Sequence, residues 1–584
     1  MTRRRLFPIL LLLCLTMAAA VPARAAEDVL DVIPGDAMGF LVVNRLAETD
    51  AKIQQTAGQM GLPPVSPWTF FKAKSGIQAG LDESRSAAVA VMPAEDPEPK
   101  PAVLFFLPVA DFQKLIEPFE PDDPTAAIVR VQGSNGAALV ANLAGYAVAT
   151  EPKHRQVLEK ILNSAKPAAG DLALLRPWLA EQEIAGVLTV HGVKLACAKA
   201  QQGLAAAREG MKALGGEENP AAAGLKMYEA LFAMAEEQVT LVAVGGDIDD
   251  EGVVRITSRT RFVGGAELAG GERSEPARKD SLAGLPGGPF VVAFGGVLSE
   301  QSSEAMMQFW VDVIKAAPDL YGISAEKADE LMELSRGSMK GIRGMSMMLG
   351  PGEPGDPLYS NMMFTFSLDD APAYLTTYES QIRAMNKLFQ DVKSPLMPKM
   401  EVERIDVDGV SGLKIEMAMP AMPGVDDVPQ LAGLMEKMFG PGGKIRMFIA
   451  AADEHTVVAA YTDEEALRRG IEAAKGSVAA LAADEGVAKT TALLPPDAPW
   501  VGYWSPPGTV EFVNQAISLF VPEGEDRFQL PEFPATPPVG FSVATSPNEV
   551  ETCLVVPAEA IKAIGTYVTA VRKTMAEKGE PATR

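Results

Sequence analysis

Apolar positions along this chain fall into short runs of strand length separated by stretches with helical spacing, and three of those runs open alike. "IPGDAMGFLVV" (Ile33 to Val43), "LPGGPFVVAF" (Leu285 to Phe294) and "LPPDAPWVGYW" (Leu494 to Trp504) each place an aliphatic residue and Pro just before an apolar run. Proline closes the preceding element and the run begins a strand. The order of elements after each opening is also similar. After the first come helices over "LAETDAKIQQTAGQM" and "SPWTFFKAKSGI", then two strand runs, "SAAVAVM" and "AVLFFLPV", across the turn "PAEDPEPKP". After the second comes a helix over Ser299 to Ala317, with Met306, Trp310, Val313, Ile314 and Ala317 on one face. "SAEKADELMELSRG" comes next with a Ser start and a Gly stop, and "GMSMMLG" pairs with "YSNMMFTFSL" across "PGEPGDP".

Two shorter copies complete the set: one from "IAGVLTVHG" to the hairpin "VTLVAVGGDIDDEGVVRITSRTRF", the other from "PWVGYW" to "VGFSVATSPNEVETCLVV". The longer copies add a module of strands and a closing helix, "PKHRQVLEKIL" in the first and "EALRRGIEAA" in the second. The order long, short, long, short predicts a tandem duplication. Its boundaries are a long unit over 26–170, a short unit over 171–263, a Gly-rich linker over 264–281, a second long unit over 282–480, a second short unit over 481–576 and a tail over 577–584. Hairpins mixed with helices predict an α+β fold, antiparallel sheets with helices packed on one face.

The first 25 residues read as an export signal. Arg3, Arg4 and Arg5 precede an apolar run from Leu6 to Val21, and Ala23-Arg24-Ala25 forms a small-x-small cleavage site. An uncleaved anchor is the weaker reading because the run is short and holds Pro8, and Leu13 before Cys14 does not suit a lipid-attachment signal. The expected location is periplasmic or extracellular, with no stable membrane span after cleavage. Hydrophobic residues make up 47% of the chain and charged residues 22%, enough to fold as globular units. A net charge of −24, more negative once four signal arginines are removed, makes nucleic acid a poor partner. Of three cysteines, Cys197 and Cys553 survive cleavage and are expected as separate buried thiols.

On "VIPGDAMGFLVV" and "HTVVAAYTDEEALRRGIEAA" the chain resembles a loosely defined family of exported bacterial proteins of unknown function. Their domains open on Leu-Pro-x-x-x-apolar, and the Met-, Pro- and Ala-rich style is similar to exported proteins of planctomycete-type bacteria. The resemblance covers the two long units and implies no activity, cofactor or catalytic residue.

Chemistry is sparse in the sequence. His154, His191 and His455 are the only histidines, expected at the start of a helix, the end of a strand and a turn, and no Gly-x-Ser-x-Gly, His-Glu-x-x-His or Cys-x-x-Cys occurs. Gly350, Gly352 and Gly355 match Gly-x-Gly-x-x-Gly only formally, since they lie between two strands and alternate with Pro351 and Pro354. "GPGGKIR" (Gly440 to Arg446) lacks a hydroxyl residue after Lys444, which a phosphate loop requires. "DIDDEG" places Asp247, Asp249 and Glu251 like the first half of a calcium loop, but Ser258 stands where a bidentate Glu belongs, so an acidic hairpin turn is expected. No catalytic or cofactor-binding residue is assigned and no cofactor is implied.

Methionine is the unusual residue, 27 in all. Met345, Met347 and Met348 in "MSMM", and Met417, Met419 and Met422 in "MAMPAM", are read as thioethers sharing one strand face. Plain packing is the expectation. A groove for a peptide or lipid is the alternative, and Cu(I) at Met417, Met419 and Met422 is a remoter one. The function expected is therefore a non-enzymatic binding or scaffold protein of the bacterial envelope, whose partner is a protein or a small apolar ligand. Rival readings are a carrier of an apolar ligand or Cu(I) and a hydrolase using carboxylates alone. The insert over Pro420 to Gly443, missing from the first long unit, is the expected recognition surface.

Overall fold

The computed structural model describes residues 29–93, 100–133, 136–164, 171–215, 220–264, 282, 284–299, 303–304, 307–308, 311, 315, 324–353, 355–390, 399–417, 429–521 and 529–577. The segment read as an export signal, nearly all of the expected 264–281 linker and most of the helix expected over Ser299 to Ala317 lie outside them. The chain divides into two units, the first holding residues 1–198, 239–261 and 555–565 and the second the remainder.

In the first unit the strands are β1 (Gly39–Val43), β2 (Ala87–Met92), β3 (Ala102–Pro108), β4 (Val129–Gly133), β5 (Gly136–Leu143), β6 (Tyr146–Thr150), β7 (Ile184–Thr189) and β8 (Val239–Ile248). They form an antiparallel sheet in the order β8-β7-β1-β2-β3-β6-β5-β4. Strands expected in the short unit over 171–263 thus extend the sheet of the segment over 26–170 through β1, which pairs with both β2 and β7. Aliphatic residues before the recurring Pro serve as anchors: Ile33 and Leu285 have no exposure and Leu494 is buried.

The helices of this unit are α1 (Leu46–Gln59), α2 (Pro67–Ser75), α3 (Phe112–Ile116), α4 (Arg155–Ser164) and α5 (Asp171–Glu181), with α6 (Val190–Gly215) starting directly after β7 and belonging to this unit as far as Ala198. They pack on both faces of the sheet, not on one. Phe40, Val42, Ala88, Leu104 and Phe106 join a core with Leu158 of α4 and Leu175 and Leu179 of α5. The alternate residues Leu41, Val43, Val89 and Phe105 face α1 and α2. The reason is legible in "AAVAVM" and "AVLFFLP": these runs are apolar throughout, as strands buried on both sides require, whereas one-sided burial alternates apolar with polar residues.

β9 (Val254–Phe262) belongs to the first unit as far as Arg261; strands of the second unit include β10 (Val292–Val297), β11 (Ile342–Leu349), β12 (Met362–Leu368), β13 (Met400–Val407), β14 (Val410–Met417), β15 (Ile445–Ala451), β16 (Thr456–Tyr461), β17 (Trp500–Trp504) and β18 (Val539–Ser546). Their antiparallel order is β18-β17-β10-β11-β12-β16-β15-β14-β13. The helices of this unit include α7 (Ala325–Met339), α8 (Ala371–Leu388), α9 (Pro429–Phe439), α10 (Glu464–Ala474) and α11 (Pro506–Phe520). Both faces are covered here too. Tyr374 and Ile382 of α8 share a core with Val457 and Ala459, and Gly470 of α10 lies against Val458 and Met363 on the opposite face.

Apart from the extra strand β13, the two sheets share their order, and one row of register partners can be followed across each in the same sequence of strands, while β11–β12 has a register shift at Ile342/Gly344 that β2–β3 lacks. One row across the first sheet reads Val244, Gly186, Leu41, Val89, Phe105, Ala149, Val140. The corresponding row of the second reads Phe541, Gly502, Phe294, Met347, Phe364, Ala459, Ile449. The entry into the helix after the inner edge strand also matches: Thr189 N donates to Met38 O at 3.0 Å, and Ser505 N donates to Val291 O at 2.9 Å. Gly192 and Gly508, each three residues further on, sit so close to the carbonyls of Met38 and Phe290 that an added Cβ would lie 2.0 and 1.8 Å from the oxygen.

Candidate binding pocket and a buried charge cluster

In the first unit a pocket of about 160 Å³ lies between the sheet and α1 and α2. Its floor is the apolar row through Leu41, Val89 and Phe105, joined by Val43 and Leu107, all contributed by β1, β2 and β3. Leu46, Thr49 and Ile53 of α1 and Trp68 and Phe71 of α2 form the roof. The pocket is partly open, and its volume is close to that of enclosed apolar cavities that accept a compact guest such as benzene.

Local sequence builds the roof. Ser66 caps α2, its Oγ accepting from Thr69 N at 2.8 Å; Pro67 presets the first turn, and Gly76 at φ +82° ends the helix. Asp50 of α1 then ties the two helices together. Its Oδ1 accepts from Trp68 N at 2.9 Å, and its Oδ2 accepts from Ser66 Oγ at 2.7 Å and Gln54 Nε2 at 2.8 Å. Trp68 and Phe71 stack with ring centroids 5.1 Å apart. The indole Nε1 of Trp68 is buried and has no hydrogen-bond acceptor among the described residues, unusual for a group that finds a partner when buried.

Behind α1 lies a second arrangement, made of charges. Glu183, with no side-chain exposure, faces Lys52 Nζ at 3.1 Å and Arg45 Nη2 at 3.3 Å. Burial pushes its carboxyl up to about 8, against the opposing pull of Lys52, Arg45 and Thr49. Asp247 is pushed up to about 6, chiefly by burial, while Arg255 at 3.7 Å and Lys52 act the other way. Arg45 begins α1 in the left-handed region, at φ 43°, a conformation costing about 1–2 kcal/mol for a residue with a Cβ. The Asn44 side chain fastens this corner by donating to the carbonyls of Leu179 and Gln182 and accepting from Ser86 Oγ. Glu183 is sealed from solvent beside two cations, so no substrate reaches it; its place is structural.

The residues singled out from sequence disperse. His154 is buried at a helix start, and His455 lies in an exposed turn with Nδ1 3.1 Å from Asp369 O. His191, expected at the end of a strand, instead falls in the first turn of α6, because β7 passes straight into that helix. Cys197 and Cys553 are both buried. Asp249 Oδ1 accepts from Glu251 N and Val253 N and its Oδ2 faces Arg255 Nη1 at 3.3 Å, so "DIDDEG" is an acidic turn in which the Asp249 carboxylate is engaged internally. Gly350 N donates to Asn361 O and Gly352 N to Gln515 Oε1, which makes the Gly-Pro stretch a loop between β11 and β12. Among the described residues no group of three or more His, Cys, Asp or Glu side chains is placed to hold a metal ion, and no helix is long and apolar enough to cross a membrane.

The methionines need a correction. Met345 and Met347 share a face of β11, but Met348 is buried on the other, as consecutive strand residues must alternate. Met345 packs against the same core as Met400 and Met447. Met417 is half-buried at the end of β14, opposite Met400 and Ile445, while Met419 and Met422 lie outside the described residues. The described part of the insert carries α9, held down where Leu358 N and Tyr359 N donate to the carbonyls of Lys437 and Met438 and Tyr359 stacks on Phe439 at 5.4 Å.

Sequence reasoning did not find the pocket. The available signal was the pair Trp68 and Phe71, spaced to share a helix face, opposite strand runs that are apolar on both sides. In comparisons with protein-family models, curated proteins and solved structures, nothing matches the chain.

Proposed function

We propose that this chain is an exported, non-catalytic binding protein of the bacterial envelope, periplasmic or extracellular, and that its first unit takes an apolar ligand in the pocket beneath α1 and α2. The observation carrying this reading is the pocket itself: apolar floor, aromatic roof, and a roof geometry fixed in advance by the Asp50 clamp. Preorganised, mostly apolar concavities with few polar groups are the usual form of small-molecule sites. Export is supported by the N-terminal Arg cluster and apolar run. A tandem duplication is supported by the matching strand order, the matching rows and the matched helix entries at Thr189 and Ser505.

A Cu(I) carrier at Met417, Met419 and Met422 draws no support from Met417, half-buried at the end of β14, and the other two lie outside the described residues. The experiment is native mass spectrometry of the mature protein isolated gently from its own envelope, beside a variant carrying Leu41→Phe and Val89→Met. A stoichiometric extra mass on the wild type that is missing from the variant supports the reading. The same mass on both proteins places the ligand elsewhere and overturns it.

A further inference from the structure

Resting on that reading, we infer that α1 and α2 form a lid over the pocket, latched by a proton held in the charge cluster behind α1, so that the pocket opens as pH rises. Burial makes this face of the sheet the looser one. α1 buries only Leu46 and Thr49, and α2 buries no residue. On the opposite face α4 buries Val157, Leu158 and Ile161, and α5 buries Leu175 and Leu179. Elements with few buried apolar contacts open locally at a lower free energy than the core. α2 follows α1 through the Asp50 clamp, and its own ion pair, Lys72 with Glu83 at 2.6 Å, is partly exposed.

The cluster ties the lid to the sheet through α1. Glu183 stays with the sheet, its N donating to Gly246 O at 3.0 Å and its O accepting from Asn44 N at 2.7 Å, and Ile184 beside it lines the pocket. Its side chain meets two cations reaching from α1, Lys52 Nζ at 3.1 Å and Arg45 Nη2 at 3.3 Å, both through Oε1. Oε2 is buried with no hydrogen-bond partner among the described residues. Glu48 of α1 engages the same two cations at 3.3 and 3.2 Å. β8 and β9 bring Asp247 and Arg255, whose Nη1 lies 3.7 Å from Asp247 and 3.3 Å from Asp249. A sealed carboxylate that leaves one oxygen unpaired and shares its cations with a second acid is costlier than the neutral carboxyl. Burial accordingly pushes Glu183 up to about 8, against the pull of Lys52 and Arg45. Lifting α1 lets water reach the group and returns it toward the ordinary 4.5, so between those values opening releases a proton and is favoured by rising pH.

The test is hydrogen exchange of backbone amides in the full chain between pH 6 and 8, corrected for intrinsic rates, beside Glu183→Gln, which keeps a neutral side chain there at every pH. In the wild type α1 is expected to exchange through openings far more frequent than those of α4 and α5. Its opening constant is expected to rise about tenfold per pH unit from pH 6 and to level toward 8. In Glu183→Gln that constant is expected to stay flat. Parallel pH profiles in the two proteins overturn the latch and leave the pocket reading standing. Exchange of α1 only in step with α4 and α5 overturns the lid. Saturating fluorobenzene is expected to slow α1 in the wild type; no slowing removes the pocket reading and the gating with it. The wild-type slope decides the case even where the variant folds poorly.

Discussion

Asp50 Oδ1 accepts the backbone N–H of Trp68 at 2.9 Å, so a carboxylate in the middle of one roof helix fixes the start of the other. A charged acceptor on a helix N-terminal N–H is among the stronger hydrogen bonds available to a protein and is favoured by the helix dipole. The placement of the aromatic roof therefore rests on one side chain of α1. Asp50→Ala is expected to cost about 1–2 kcal/mol in urea denaturation, and to weaken ligand binding by loosening α2. An unchanged midpoint would mean that α2 is held by its apolar face alone.

Glu183 predicts a pH dependence. Its folded pKa, about 8, stands above the ordinary 4.5. Below about 4.5 it is protonated in both folded and unfolded chains. Between those values the unfolded chain releases the proton and the folded chain keeps it, so stability falls as pH rises. Above about 8 the slope vanishes. Asp247 adds a slope of the same sign that ends near 6. Between pH 6 and 8 the wild type should therefore lose on the order of 1 kcal/mol per pH unit relative to Glu183→Gln, measured by urea denaturation. Parallel curves for the two proteins would show that Lys52 and Arg45 keep Glu183 ionised throughout.

Gly192 and Gly508 predict matched effects in the two units. A Cβ at either position meets a backbone carbonyl that no rotamer change can move. Gly192→Ala and Gly508→Ala should each destabilise their unit by about 2 kcal/mol or more, read by thermal unfolding. Tolerance of either change would mean that its helix entry can shift.

Met345 and Met447 should behave as packing residues. Leu at either position preserves volume, and each change should cost less than about 1.5 kcal/mol and leave copper content per chain unaltered. A loss of bound copper in the purified variant would return the thioethers to the candidate sites.

Much of the architecture was legible because its signals are local. The recurring aliphatic-Pro openings mark buried anchors, Ile33, Leu285 and Leu494. Ser66, Asp111, Ser324, Asp370 and Asp463 each cap a helix with the side chain. The features that sequence reading missed depended on neighbours distant along the chain. That helices cover both faces was written in the unbroken apolarity of β2 and β3, but periodicity assigns no partner to the second face. The pocket was harder still, because its lining comes from β1, β2, β3, α1 and α2, which only the long-range strand pairing brings together. Glu183 is one of 76 acidic residues in the sequence, and its burial between Lys52 and Arg45 is set by long-range pairing of β7 with β1.

The most direct test of the central claim is a titration of the mature protein with fluorobenzene tracked by ¹⁹F NMR, run beside the Leu41→Phe, Val89→Met variant. Saturable binding of one molecule per chain, lost in a variant that still melts cooperatively, is the expected result. Binding of equal strength to both proteins, or to neither, contradicts the assignment of the first unit's pocket as a ligand site.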